Sequence, residues 1–226
     1  GKTTLIKYML KLSDDEIENI RNNSNNDDFI VYENSNASYL KLVEFKGIGY
    51  ERNNDPETIG NKTKEFIERR IGNNDYNDFI HCIWYCVSFT RFENLEFDVL
   101  KKLKDVYPDN IMPIVVVYTQ TLDINIASSM EEHIKNEGLD ISYLKVLAKK
   151  IQLPKNKGYA KEFGDKELMN LTLQKCTEAL KGKMSNMMIE MMSNDIKKEL
   201  KKKNEEPNNI KQEIVIEDET LDKNKD

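Results

Sequence analysis

The sequence predicts an α/β fold, a doubly wound and mostly parallel sheet with helices on both faces. Two observations carry that expectation. Residues 79–87 and 113–118 are almost wholly apolar and rich in β-branched and aromatic side chains, the pattern of strands covered on both sides, as parallel strands are. Between them, residues 91–107 place Phe92, Leu95, Phe97, Leu100, Leu103 and Val106 at helical spacing, so strand, helix and strand alternate. Ligands of such sheets bind beyond the carboxyl ends of the strands, so the loops there are where chemistry is expected.

The remaining elements follow in order. Residues 2–12 carry Leu5, Ile6, Met9, Leu10 and Leu12 on one helical face. Ser13-Asp14-Asp15-Glu16 reads as the capped start of a short helix running to Ile20, followed by a polar loop over 22–28. Residues 29–33 and 39–45 read as two strands joined through Asn34, Ser35 and Asn36, a hairpin connection. A loop with Gly, Asn and Pro over 46–56 precedes a helix over 57–71. Residues 130–136 read as a helix, 143–147 as a last short strand, 165–180 as a helix, and 184–203 as its helical continuation.

Composition narrows the function classes. A chain of 226 residues suits one domain with appendages, and 38% hydrophobic against 33% charged residues still supports a core. The net charge of −6 argues against a general nucleic-acid binder that works by neutralising phosphates. Cys82, Cys86 and Cys176 form no CxxC pair and no ligand cluster; they are expected as buried free thiols of a reducing, cytoplasmic compartment. No apolar run reaches the roughly 18 residues that a membrane span requires. His81 lies in an apolar run and His133 among polar residues, with no catalytic partner in the pattern of either. No GxSxG or HExxH spacing occurs, so other hydrolase classes lack support.

The chemistry-bearing motifs begin at the first residue. Gly1, Lys2, Thr3 and Thr4 match the closing half of GxxxxGK(S/T), running into a helix. In that loop, backbone N–H groups cradle phosphates, the lysine reaches the β- and γ-phosphates, and the hydroxyl ligates Mg2+. An ordinary helix start with Thr3 near its cap explains the same four residues. At the end of the 39–45 strand, Glu44 and Gly47 form ExxG. After residues 113–118 comes Thr119-Gln120-Thr121-Leu122-Asp123, where Asp123 either contacts a base or caps a turn. Ala148 and Lys149 follow the last strand.

In order and spacing these residues resemble the P-loop GTPases of the translation-factor-related class, nearest to the septin and immunity-associated branches. GKTTL at 1–5, VEFKGIG at 43–49, HCIWYCVS at 81–88 and PIVVVYTQ at 113–120 carry the resemblance, which spans about residues 1–180. It implies a nucleotide-binding G domain over 1–182 whose first strand and first half of the loop lie upstream of Gly1. It also implies binding of GTP or GDP with Mg2+, and slow hydrolysis that switches two loops. The implied nucleotide-binding residues are Gly1, Lys2, Thr3, Thr4, Gly47, Thr119, Gln120, Asp123, Ala148 and Lys149, with Thr3 and Glu44 on the metal. The departures bear on function. No threonine stands between Thr4 and Thr58 to serve as a switch residue, Ile48 occupies the water-orienting position, and Leu122 occupies that of the base-reading aspartate. A P-loop ATPase and a turnover-less scaffold acting through protein contacts therefore stay open beside the GTPase.

Beyond residue 182, Met184, Met187, Met188, Met191 and Met192 recur at helical spacing over 183–204. They read as a packing face or, alternatively, as an adaptable partner surface of coiled-coil type. Lys197, Lys198 and Lys201 to Lys203 read as a solvated helix end or a weak membrane-surface patch. Residues 205–226 read as an acidic disordered tail. The expected partners are a guanine nucleotide and a second copy of the chain or an effector protein.

Overall fold

The computed structural model describes residues 1–24, 28–37, 39–46, 55–72, 78–88, 94–107, 112–122, 129–153 and 158–205. The chain divides into two compact units, Gly1–Lys183 and Met184–Asp226.

The first unit is α/β. Helices α1 (Lys2–Leu10) and α2 (Asp14–Asn23) lead into strands β1 (Phe29–Tyr32) and β2 (Leu42–Phe45), which pair antiparallel with Ile30 opposite Glu44. A capping box starts α2: the Ser13 hydroxyl accepts from the Glu16 N–H, and the Glu16 carboxylate accepts from the Ser13 N–H. Asn34 turns the chain between the strands and donates its side-chain amide to the Leu10 carbonyl at 2.7 Å, satisfying one acceptor at the end of α1. After α3 (Pro56–Gly72) come β3 (Ile83–Ser88), α4 (Asn94–Val106), β4 (Ile114–Thr119), α5 (Ser129–Asn136) and β5 (Ser142–Val146). A two-stranded hairpin of β6 (Ile151–Gln152) and β7 (Tyr159–Ala160) precedes α6 (Asp165–Glu205).

Strands β3, β4 and β5 form a parallel sheet in that order, with Ser88 opposite Thr119 and Thr119 opposite Val146. Their side chains alternate between two layers, as the strand period of two demands. Ile114, Val116 and Tyr118 of β4 join Ile59, Phe66, Ile67, Phe97, Leu100, Leu103 and Ile134 on the side of α3, α4 and α5. Val115 and Val117 join Leu5 and Met9 of α1 and Leu168 of α6 on the other side. Helices thus cover both faces. A third cluster, Ile6, Leu10, Ile17, Ile30 and Tyr32, ties α1 and α2 to the β1–β2 pair.

One expectation changes. The strand over 79–87 begins only at Ile83, and its residues up to Cys86 are half-buried, because β4 is its one strand partner among the described residues. The wholly buried central strand is β4. The helical stretches over 165–180 and 184–203 both fall in α6, the second continuing the first as the pattern predicts, since Gly182 does not interrupt it. The β6–β7 hairpin had no pattern long enough to announce it.

The second unit, within its described residues, is helical through Glu205. Met184, Met187, Met188, Ile189, Met191 and Met192 are all exposed there. Among the described residues, no helix is long and apolar enough to cross a membrane.

Candidate functional site

The carboxyl ends of β3 and β4 meet the start of α1. A Cβ on Gly1 would lie 2.2 Å from Thr119 Oγ1, so the residue has to be glycine for the helix to begin this close to the sheet. The Thr119 hydroxyl donates to the Val87 carbonyl at 3.1 Å, fixing the side chain against which Gly1 sits. No side chain caps α1 at Gly1, and the helix opens with the Leu5 N–H donating to the Gly1 carbonyl. The first-turn N–H groups and the positive end of the helix dipole thus stand at the edge of a parallel sheet. Lys2 belongs to the same corner. Burial pushes the Cys86 thiol of β3 up to about 11, and the ammonium of Lys2 pulls it the other way.

Thr3 and Glu44, both expected on a metal, do come together. The Thr3 hydroxyl donates to Glu44 Oε1 at 3.3 Å. Strand alternation turns Glu44 away from Val43 and Phe45, which pack against the α3 and α4 layer, and toward α1. Its side chain is 4% exposed.

Two further residues complete this cluster. Arg21, in the last turn of α2, donates from Nη2 to Thr3 Oγ1 at 2.6 Å and to Glu44 Oε2 at 2.8 Å, and from Nε to Tyr32 Oη at 3.0 Å. Tyr32, wholly buried, donates its hydroxyl to Glu44 Oε2 at 2.9 Å. Bonding to Glu44 and then to Tyr32 holds the guanidinium proton more firmly than usual. Burial raises the Tyr32 phenol, and the Glu44 carboxylate adds to the shift while Arg21 opposes it. Sequence reasoning missed both residues. The available signal was weak: Arg21 is the single basic residue of α2, whose first turn is all acidic.

The donor chemistry of Thr3 and Glu44, a hydroxyl and a carboxylate, suits a hard cation such as Mg2+. The guanidinium of Arg21 already supplies the positive charge there. With Arg21 so seated, the pair does not fit a divalent cation as well.

The residues expected beside a base follow β4 and β5 at the same edge. Gln120 follows β4 with a left-handed φ of 62°, and its Oε1 is 3.4 Å from Ser88 Oγ at the end of β3. Ala148 is half-buried and Lys149 exposed just past β5, where Leu147 bridges to Phe163. Thr119, also expected beside a base, is instead buried against Gly1 at the start of α1. Thr4 is half-buried in the first turn of α1. Gly47 and Asp123 lie outside the described residues. A shallow open depression between α2 and β1, lined by Asn19, Ile20, Asn23, Ser24, Phe29 and Val31, is separate from this corner. Comparison with protein-family models, with curated proteins and with solved structures gave no match to this chain.

Proposed function

We propose that the chain binds a guanine nucleotide, with the phosphates at the N-terminus of α1 and the base along the ends of β4 and β5. One observation carries this reading. The Gly-Lys-Thr start of an uncapped helix is pressed against the carboxyl ends of parallel strands, with a buried carboxylate, Glu44, bonded to its threonine. Backbone N–H groups at such a helix start favour phosphate, and Lys2 would neutralise the β- and γ-phosphate charge. Gly47, three residues past Glu44, would meet the γ-phosphate through its N–H. Gln120, Ala148 and Lys149 would line the base, and Thr119 would keep Gly1 in place. Hydrolysis on this reading is slow, because Ile48 stands where a water-orienting side chain would serve turnover. The purified chain would then act as a nucleotide-dependent switch, with a second copy or an effector protein reading its state.

Titration with fluorescent analogues of GTP and ATP tests the reading, using Lys2→Ala as the comparison. The expected result is GTP preference and at least about tenfold weaker binding in the variant. ATP preference would replace the guanine assignment by an ATPase. Binding of neither nucleotide would leave a scaffold that works through protein contacts.

A further inference from the structure

We propose that Arg21 is the resident cation of the Thr3–Glu44 site and competes with a divalent metal ion for it, so that it withdraws whenever the metal enters. This rests on the nucleotide reading only for the reason that a metal would arrive.

The argument starts from Glu44, whose buried carboxylate requires a positive partner. Arg21 Nη2 supplies it at 2.8 Å and reaches Thr3 Oγ1 at 2.6 Å with the same nitrogen. The Thr3 hydroxyl spends its proton on Glu44 Oε1. A divalent cation would take the Thr3 oxygen and the carboxylate, directly or through water, at the lone pairs that the guanidinium now uses. It would then sit within a few ångströms of a fixed positive charge. Arginine keeps that charge at any ordinary pH, so deprotonation offers no release. Movement does. The Arg21 side chain is 41% exposed at the last turn of α2, whereas the helix is anchored by buried Ile17 one turn earlier. The guanidinium can swing to solvent, or onto the phosphates that accompany the metal, without unpacking that anchor. Tyr32, which bonds both Arg21 and Glu44, keeps one donor on the carboxylate in either state.

Titration of Mn2+ alone into the wild type and R21Q, with free Mn2+ followed by electron paramagnetic resonance, tests the competition. R21Q is expected to bind Mn2+ at least about tenfold more tightly, since in the wild type the metal must first break the charged hydrogen bonds of Arg21 to Glu44 and Thr3. The double variant R21Q/E44Q is expected to lose the gain. Equal affinity in the wild type and R21Q overturns the proposal. If R21Q does not fold, the wild type supplies the measurement. The Arg21 Nε signal in a nitrogen-15 spectrum is expected to leave its hydrogen-bonded position as Mg2+ is raised to saturation, and a signal that stays in place overturns the proposal. Because the probe is the metal alone, failure to bind nucleotide would sink the proposed function without deciding this competition.

Discussion

Tyr32→Phe isolates the polar part of the Thr3–Arg21–Glu44–Tyr32 cluster. The ring packs with Ile6, Leu10, Ile17 and Ile30, and phenylalanine keeps that ring, so no cavity forms. What goes is the hydroxyl that donates to Glu44 at 2.9 Å and accepts from Arg21 at 3.0 Å. A hydrogen bond to a charged group is worth about 1.5–3 kcal/mol when its loss leaves the partner buried. Glu44 keeps Arg21 and Thr3, so the expected cost lies within that range and not beyond it. Urea unfolding at neutral pH is the assay: the midpoint should fall with the slope unchanged, and Tm should drop by about 3–12 °C for a chain of this size. The pH dependence has a definite sign. A phenol whose folded pKa is raised stabilises the fold fully below its unfolded value, about 10, and the contribution is lost as pH rises through the folded value. The difference between wild type and variant should therefore be flat below about 10 and shrink as pH rises beyond it. A cost under about 0.5 kcal/mol, the scatter of ordinary surface substitutions, would show that the hydroxyl is not holding a buried carboxylate.

Three other outcomes are expected. Leu100→Ala, at a fully buried position of α4, should cost about 2–5 kcal/mol by the cavity it leaves, read from the same unfolding curves. Cys176 should be the first cysteine to react with iodoacetamide. The Cys82 thiol hydrogen-bonded to it lowers its pKa to about 7, whereas burial holds Cys86 near 11 and the pairing with Cys176 pushes Cys82 upward. Its rate, rising with pH as thiolate forms, should be half-maximal near 7 instead of about 8.5, and mass spectrometry finding Cys82 or Cys86 labelled first would contradict this. Met187→Glu and Met191→Glu, at exposed positions of the second unit, should each change stability by no more than about 0.5 kcal/mol. A larger loss in urea unfolding of the purified chain would mean that these methionines pack against something in solution.

The sequence by itself determined the elements that local pattern dictates. Residues 113–118 are apolar throughout, and nearly all of them fall in β4, the strand both layers bury. The Ser13–Glu16 spacing became a capping box, and the 91–107 periodicity became α4, whose Leu100 and Leu103 reach the core. Of the motif residues, Thr119 and Gln120 at the end of β4 and Ala148 and Lys149 past β5 do stand at one edge of the parallel sheet, since strand ends are fixed once strands are. Tertiary structure alone decided which strand is central, because partner number is a property of the sheet and the apolar pattern of 79–87 is shared by strands with one neighbour or two. It alone decided that Gly1 needs to be glycine, a demand made by Thr119, far away in the chain. It alone brought Arg21 to Thr3 and Glu44. Those residues lie 18 and 23 positions away, beyond the reach of any helical or strand period, and a guanidinium on a polar helix looks solvated until a buried carboxylate is seen to claim it.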